Sequence, residues 1–349
     1  MDSKYLNILR EMEKDREQGT VSSKDSHLLI IDGLNTFIRV FSAVPALNDD
    51  GQHIGGVTGF LRSVAANIRQ LKPTRCVIVF DGKGGSKRRK AIYPNYKANR
   101  ANKTAFNRYQ EFASLEDESA SMKKQFGRLA QYLNCLPITT LSVDNVEADD
   151  IMAYIANELY TEKENRATIV STDRDFLQLV NDRISVWSPI KKKLYTPSLM
   201  KEEFGFSPEN YLLYRTFIGD KSDNIPGIKG VGTKSLIKHF PIICEDREIS
   251  VDEIVEYADN VDKKYKVHET VLQNKETLQL NYDLMQLKEV NIHGGAKMLT
   301  LDKVKGKVDR TNTYEFKKMF MADKMYTVIK DLDSWLHNSF NALNAYTSL

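Results

Sequence analysis

The chain has 349 residues, of which 41% are hydrophobic and 28% are charged, and its formal net charge at pH 7 is +3. No apolar run approaches the roughly 18–20 residues that span a bilayer, and three widely spaced cysteines offer neither a disulfide framework nor a zinc site. The polar segment 1–26 has no hydrophobic region typical of a secretory signal, so we interpret it as a helical or frayed leader. We therefore expect a cytoplasmic monomer without membrane contacts.

Two short apolar runs, 27–31 and 75–80, each end in an Asp-Gly pair, with helical spacing at 57–71 between them. Each run predicts a buried strand that delivers a carboxylate, Asp32 or Asp81, at its C-terminal end. Parallel strands that both stop on Asp indicate a site at the carboxyl edge of their sheet. Asp-Gly is also common in turns, so each pair by itself has a purely structural alternative.

A long polar segment follows, from residue 83 to about residue 121. Between Lys83 and Arg108 it contains nine Lys or Arg and no Asp or Glu. Loops of this length are usually functional or disordered. Aromatic side chains between the cations could stack on bases while the cations neutralise phosphates, which favours nucleic-acid contact over a solvated linker.

Three carboxylates fall within four residues at Glu147, Asp149 and Asp150, and an amphipathic run to residue 160 begins directly after them. Acidic side chains are favoured in the first turn of a helix, where free amides and the helix dipole are positive. If all three side chains serve one site, Glu147 must lie at or just before the helix start. The alternative is an acid-rich helix start on a solvated surface.

Strands and helices alternate through the middle of the chain. The predicted elements are a helix at 122–133, strands at 136–141 and 167–170, and a hairpin of strands at 184–187 and 193–195. The strand at 167–170 leads to Asp173 and Asp175, which occupy another strand-to-helix turn. This alternation predicts an α/β fold with a mixed, mostly parallel central sheet flanked by helices.

A glycine-rich turn at 219–232 separates two predicted helices, at 210–218 and at about 233–239. It contains two carboxylates, Asp220 and Asp223. Its candidate phosphate-binding residues are Gly227, Lys229, Gly230, Gly232 and, in the following helix, Lys234. Glycines let the backbone approach a phosphate closely, although a turn between helices can also be purely structural. Beyond residue 241 the chain is helical and charged, and its last apolar helix is predicted at about 319–343.

The carboxylates at these strand ends and turns predict a metal site. They are Asp32, Asp81, Glu147, Asp149, Asp150, Asp173, Asp175, Asp220 and Asp223. Nine carboxylates cannot crowd one site in ionised form without cations to offset their repulsion. Oxygen ligands without a partnered His or Cys favour Mg²⁺ or Mn²⁺ over zinc. Two such ions roughly 4 Å apart would activate a water and stabilise the leaving oxygen of a phosphodiester.

Six motifs, in order along residues 27–240, carry a resemblance to a known family. They are Ile-Asp-Gly at 31–33, Val-Phe-Asp-Gly at 79–82, Arg89 with Tyr-Lys-Ala-Asn-Arg at 96–100, Val-Glu-Ala-Asp-Asp at 146–150, Ser-Thr-Asp-Arg-Asp-Phe at 171–176, and Gly-Asp-Lys-Ser-Asp-Asn-Ile-Pro-Gly-Ile-Lys-Gly-Val-Gly at 219–232. The chain resembles the 5′-nuclease (flap endonuclease) superfamily, and within it the bacteriophage 5′→3′ exonucleases that include phage ribonuclease H. The resemblance implies a 5′-nuclease fold with a helical arch and a helix–hairpin–helix element.

The resemblance also implies roles for particular residues. Asp32, Asp81, Glu147, Asp149 and Asp150 would surround one Mg²⁺ ion, and Asp173, Asp175, Asp220 and Asp223 a second, with Mn²⁺ as a substitute. Catalysis would rest on Arg89, Lys97, Asp149 and Asp150. DNA would be contacted by Arg88, Arg89, Tyr96, Lys97 and Arg100 of the arch, with Tyr96 stacking on a terminal base. The hairpin residues Gly227, Lys229, Gly230, Gly232 and Lys234 would grip the duplex backbone, with K⁺ as an associated cation.

The sequence thus predicts three segments: the leader, an α/β catalytic domain at 27–196 with the basic arch at 83–121, and a helical DNA-binding domain at 197–349 with the helix–hairpin–helix at 210–240. The leading hypothesis is a metal-dependent 5′→3′ exonuclease and flap endonuclease that removes RNA primers during lagging-strand replication.

Its substrates would be DNA with 5′ flaps or nicks and RNA–DNA hybrids, in the cytoplasm of an infected bacterium if the protein is phage-encoded. A phage single-stranded DNA-binding protein or a clamp is a candidate partner, although no residue pattern points to it. The alternatives are a PIN-like metal-dependent RNA endonuclease and a non-catalytic, structure-specific DNA-binding scaffold.

Overall fold

A computed structural model describes residues 26–101, 106–110, 112–161 and 164–347. Six strands form one sheet in the order β3-β2-β1-β4-β5-β6. Their bounds are β1 His27–Asp32, β2 Arg75–Asp81, β3 Thr139–Val143, β4 Arg166–Val170, β5 Ile184–Ser188 and β6 Lys193–Tyr195. The neighbouring strands from β3 to β5 are parallel, and β6 is antiparallel to β5. The predicted α/β class with a mixed, mostly parallel sheet is confirmed.

The strand register brings the predicted carboxylates to one edge of the sheet. Asp32, the last residue of β1, lies opposite Val79 near the end of β2, and Ile31 lies opposite Val170, the last residue of β4. The chain must leave a parallel sheet from the same edge after each of these strands. Asp32, Asp81 and the turn that follows β4 therefore converge at the carboxyl edge.

Helices cover both faces of the sheet. Their bounds in the described residues are α1 Gly33–Ala43, α2 Gly55–Leu71, α3 Lys87–Ile92, α4 Leu115–Leu133, α5 Ala148–Tyr154, α6 Pro197–Phe204, α7 Tyr211–Ile218, α8 Thr233–His239, α9 Val251–Asn260, α10 Lys266–Gln273, α11 Lys275–Met285, α12 Gly294–Lys305, α13 Thr313–Ala322 and α14 Leu332–Asn344. A single π-helical turn, Ile155–Leu159, extends α5.

Two apolar cores lie on opposite faces of the sheet because neighbouring strand residues point to opposite sides. Leu28 and Ile30 of β1 belong to the core that α5 to α12 complete, whereas Leu29 and Ile31 belong to the core of α1, α2 and α4. The last two helices, α13 and α14, return to this second core rather than joining the helices that precede them. The domain division at residues 196 and 197 stays a prediction.

Three predicted elements differ clearly from the structure, and the others differ by no more than a residue or two at their ends. Helix α4 begins at Leu115 rather than at residue 122, because the Ser114 side chain caps its N-terminus and three acidic residues fill its first turn. Strand β3 lies at 139–143 rather than 136–141. The apolar helix predicted at 319–343 is two helices, and Asp331 caps the second of them.

Parts of two predicted segments fall outside the described residues. They are the leader up to residue 25 and, within the basic arch, residues 102–105 and 111. No helix in the described part of the chain is both long enough and apolar enough to span a membrane.

Candidate active site

The turn that follows β4 fixes two carboxylates at the edge of the sheet. The side chain of Asp32 caps α1 by accepting a hydrogen bond from the Asn35 amide at 3.0 Å, and its second oxygen accepts one from the Ser171 hydroxyl at 3.0 Å. Asp173 accepts a hydrogen bond from the Asp175 amide at 2.8 Å. Local turn chemistry therefore orients Asp32 and Asp173 before any ligand binds.

The acidic helix start is joined to the end of β2. The exposed side chain of Asp81 accepts a hydrogen bond from the Ala148 amide at 2.8 Å. Glu147 is the residue that immediately precedes α5, and Asp149 and Asp150 lie in its first turn. Glu147 therefore lies just before the helix start, which is where it would have to lie if all three side chains served one site.

Arg89 of α3 is buried between two of these carboxylates. Its guanidinium donates to Glu147 and to both oxygens of Asp150, at 2.7 and 2.9 Å, and its Nε donates to the Leu284 carbonyl at 2.8 Å. Arg88 adds a longer contact to Asp150 at 3.3 Å. Burial by itself would raise the pKa of Glu147, but the charges of Arg89 and Lys97 outweigh burial and lower that pKa.

Lys97 and Arg100 extend this basic layer to Asp223. The Lys97 ammonium lies 2.5 Å from Glu147 and 3.8 Å from Asp223, and Arg100 lies 2.5 Å from Asp223. Burial lowers the pKa of Lys97, but the surrounding carboxylates more than compensate and raise it overall. Lys97 therefore remains a proton-bearing cation at neutral pH.

Tyr96 and Arg89 are not positioned as the resemblance implies. The Tyr96 ring is only 3% exposed and packs with Leu212, Ile225 and Leu284, while its hydroxyl donates to Asp223 at 3.1 Å. In this arrangement the ring has no free face for a base. Arg89 is likewise 3% exposed and is bonded to carboxylates, so it does not face solvent where a phosphate would approach.

Arg215 of α7 is a site residue that the sequence interpretation missed. It donates to Asp175 through Nε and to Asp220 through a terminal nitrogen, both at 2.6 Å. Its side chain is buried, and these ion pairs join the turn after β4 to the glycine-rich turn. The sequence did contain a signal for this residue. Arg215 is the single cation in the apolar run Tyr-Leu-Leu-Tyr-Arg-Thr-Phe-Ile, which directly precedes Gly219 and Asp220, and a buried charge needs a partner.

Four of the site carboxylates have raised pKa values. Burial raises the pKa of Asp32 to about 7, and the negative charges of Asp173 and Asp81 add to this effect. Burial and the same kind of repulsion raise the pKa of Asp149 and of Asp173. The pKa of Asp175 is raised to about 7, chiefly by burial and then by Asp173, despite its ion pair with Arg215.

The donor set fits divalent cations. If all nine predicted carboxylates are ionised, the five cations paired with them, Arg88, Arg89, Lys97, Arg100 and Arg215, leave a formal charge of −4, which two divalent ions would balance. All the donors are hard oxygens. Within the described residues, no three His, Cys, Asp or Glu side chains are arranged so that they could hold a metal ion. Five of the nine carboxylates are instead bonded to Lys or Arg side chains.

The glycine-rich turn has the shape of a tight hairpin. Gly230 has a φ of +82°, a conformation that favours glycine, and a Cβ at Gly227 would lie 2.3 Å from the Ile218 carbonyl oxygen. Gly232 precedes α8, and a Cβ there would meet no atom within 4 Å. The side chains of Lys229 and Lys234 are exposed. Two lysines thus flank an open stretch of backbone.

Comparison with known proteins agrees with this architecture. A family model described as the 5′-3′ exonuclease N-terminal resolvase-like domain matches residues 27–205, and one described as the 5′-3′ exonuclease C-terminal SAM fold matches residues 206–307. A 5′-3′ exonuclease of Aquifex aeolicus is 29% identical over 320 residues, which cover 88% of this chain and 95% of that protein. The thermostable DNA polymerase I of Thermus thermophilus is 32% identical over 263 residues, which cover 75% of this chain but only 28% of the polymerase.

Two solved structures share the fold. The T5 5′-exonuclease with bound zinc superposes with a TM-score of 0.58 at 22% identity, covering 85% of this chain and 98% of that one. The bacteriophage T5 flap endonuclease, in a pseudo-enzyme–product complex with DNA and metal ions, has a TM-score of 0.58 at 21% identity, covering 87% of this chain and 100% of that one.

Proposed function

Because the chain belongs to the 5′-3′ exonuclease family, we propose that it hydrolyses phosphodiesters from the 5′ end of DNA strands and at 5′ flaps, using two divalent metal ions, with Mg²⁺ as the physiological ion and Mn²⁺ as a substitute. The observation that carries the proposal is a set of nine carboxylates at the carboxyl edge of the sheet and in the adjoining glycine-rich turn, four with raised pKa values, beside a basic segment. An acidic cluster next to a basic layer suits a polyanion held beside metal ions.

The proposed metal ligands follow the two sides of the cluster. Asp32, Asp81, Glu147, Asp149 and Asp150 would hold one ion, and Asp173, Asp175, Asp220 and Asp223 the other. When bound, such ions supply an activated water and stabilise the leaving oxygen. Ser171 and Asn35 keep Asp32 oriented toward the site through their hydrogen bonds.

The basic residues would bind the scissile phosphate. Lys97 and Arg100 are anchored on Glu147 and Asp223 and carry donors at the rim of the cluster. A phosphate oxygen is a favourable new partner for a protonated lysine. The side chain of Arg88 is 31% exposed, and it is the partly free arginine next to the buried Arg89.

The hairpin at 227–234 would hold the duplex. Its exposed lysines and open glycine backbone suit contacts with successive phosphates, which position a duplex without reading its sequence. Contacts on double-stranded backbone favour a nuclease that recognises a junction between duplex and single strand. We propose 5′ flaps, nicks and RNA–DNA hybrids as substrates, and removal of RNA primers as the biological role.

Product analysis tests the proposal. A 5′-labelled flap duplex and a nicked RNA–DNA hybrid are incubated with the protein in Mg²⁺, in Mn²⁺ and in EDTA. We expect short products from the 5′ end in either metal and none in EDTA. Tight binding without cleavage in both metals would contradict the proposal and favour a scaffold, and cleavage restricted to folded RNA would favour the RNA endonuclease.

A further inference from the structure

Two segments that lie about 125 residues apart in sequence are joined by a short seam of hydrogen bonds at the edge of the site. One is 95–100 of the basic segment, and the other is the turn 220–224. The Lys97 amide donates to the Asp223 carbonyl at 2.9 Å. The main chain of Lys97, whose ammonium contacts Glu147, therefore lies directly against the main chain of Asp223.

Two asparagines flank this central bond in a reciprocal arrangement. The Asn224 side-chain amide donates to the Asn95 carbonyl at 2.8 Å, and the Asn99 side-chain amide donates to the Lys221 carbonyl at 2.8 Å. Each of these two carbonyls also closes its own turn: Asn95 accepts from the Ala98 amide, and Lys221 accepts from the Asn224 amide. Each asparagine therefore closes the seam on a carbonyl that shapes the opposite turn.

The backbone on both sides of the seam is held in an uncommon conformation. Lys97 has a φ of +56° and Asn224 a φ of +60°, in the left-handed region that few residues other than glycine adopt. Such conformations persist when surrounding contacts determine them. At Lys97 this conformation turns the amide toward Asp223 while the ammonium reaches Glu147.

We propose that Asn99 and Asn224 are positioning residues that lock the basic segment to the turn carrying Asp220 and Asp223, so that a phosphate-facing cation and two metal-facing carboxylates move as one unit. The proposal rests on the proposed function, because it assigns Lys97 and Asp223 to the reaction. The seam itself is a property of the metal-free protein, and it is therefore tested separately.

The test uses three single variants of the 349-residue chain. Asn99→Ala removes an exposed amide, and Asn224→Gly removes the other amide while keeping a residue that tolerates positive φ. Asn274→Ala is the matched control, because its side-chain amide donates to the Thr270 carbonyl at 2.7 Å beside α10 and joins no distant segments.

The first readout is amide hydrogen exchange without metal. We expect either seam variant to accelerate exchange about 10-fold in both 95–101 and 219–225, since one lost hydrogen bond changes a local opening equilibrium by roughly that factor. The control should leave both segments unchanged. Faster exchange confined to the mutated segment would overturn the proposal, because it would mean that the two segments open independently.

The second readout is flap cleavage in Mg²⁺. We expect kcat to fall by about 10–100-fold, with KM within about 2-fold of wild type, since a misplacement of about 1 Å is that costly to reaction geometry while duplex binding is unaffected. If a seam variant accelerates exchange in both segments but leaves kcat unchanged, the two asparagines are not positioning residues. If the wild-type protein itself fails to cleave, the proposed function fails, and the exchange experiment still decides whether the seam exists.

Discussion

Six of the nine site carboxylates fall into two halves whose negative charges the protein compensates differently. Glu147, Asp150 and Asp223 are each bonded to one or more of Arg89, Lys97 and Arg100. By contrast, no Lys or Arg of the described residues forms an ion pair with Asp32, Asp149 or Asp173, and the pKa of each of these three is raised. We call these the paired half and the unpaired half.

The difference shows where an external cation would have its largest effect. A buried carboxylate that already has an arginine gains little from a further positive charge, whereas one repelled by its neighbours gains much. We therefore expect the unpaired half to depend most on a bound metal ion. The paired half is fixed by the protein itself. Its cations would be free to bind a phosphate only if their carboxylates were neutralised in another way.

The largest expected effect is on catalysis, from a change in the unpaired half. Asp149→Asn should lower kcat by about 1,000-fold or more because a proposed metal ligand loses its charge. Substrate affinity measured in Ca²⁺ should change little, since the hairpin lysines are intact. Asp182→Asn, an exposed carboxylate at the opposite edge of the sheet, is the control. Full activity in Asp149→Asn would contradict the metal assignment.

The next effect is on stability, from two adjacent residues of the paired half. Arg89→Met should lower the free energy of unfolding by about 3–5 kcal/mol, because Glu147 and Asp150 would lose a buried partner. Arg88→Met should cost less than about 1 kcal/mol, since its partly exposed side chain makes a single 3.3 Å contact. Urea unfolding of both variants measures the difference. Equal losses would mean that burial of Arg89 does not matter.

The pH dependence of the unfolding free energy tests the unpaired half. The pKa of Asp32 is about 7 in the fold, so between about pH 4 and pH 7 the folded protein keeps a proton that the unfolded chain releases. This contribution to stability is present at low pH and is lost as pH rises through 7. Without metal, the unfolding free energy of the wild type should therefore fall by about 2–4 kcal/mol relative to that of Asp32→Asn between pH 4 and pH 8.

The asparagine can still cap α1, so the comparison isolates the charge. A difference between Asp32→Asn and wild type that stays constant with pH would show that Asp32 is ionised throughout.

The smallest effect concerns cations that pair with no carboxylate. Lys229 and Lys234 form no ion pair with the described residues, so they are free to bind phosphates. Lys229→Ala with Lys234→Ala should weaken duplex binding uniformly across sequences and flatten the slope of log K against log salt by about 1–2. Lys330→Ala, exposed near the C-terminus, should leave the slope unchanged. An unaltered slope in the double variant would mean that the hairpin faces away from DNA.

Much of the site could be predicted from local sequence. Apolar runs followed by Asp identified the ends of β1, β2 and β4, and the spacing of Glu147, Asp149 and Asp150 identified a helix start. The motifs also identified the family. These features depend on residues a few positions apart, and the periodicity of strands and helices encodes them directly.

The tertiary structure alone decided which charges meet. Arg89 reaches Glu147 across 58 residues and the Leu284 carbonyl across 195, and Arg215 reaches Asp175 across 40. It also decided that Tyr96 is buried rather than open to a base, and that α13 and α14 return to the core of α1, α2 and α4. The sequence determined the sheet, the carboxylates at its edge and the family, because these follow from local pattern. The partner of each charge depends on how distant segments pack, and that information is not carried by any local spacing.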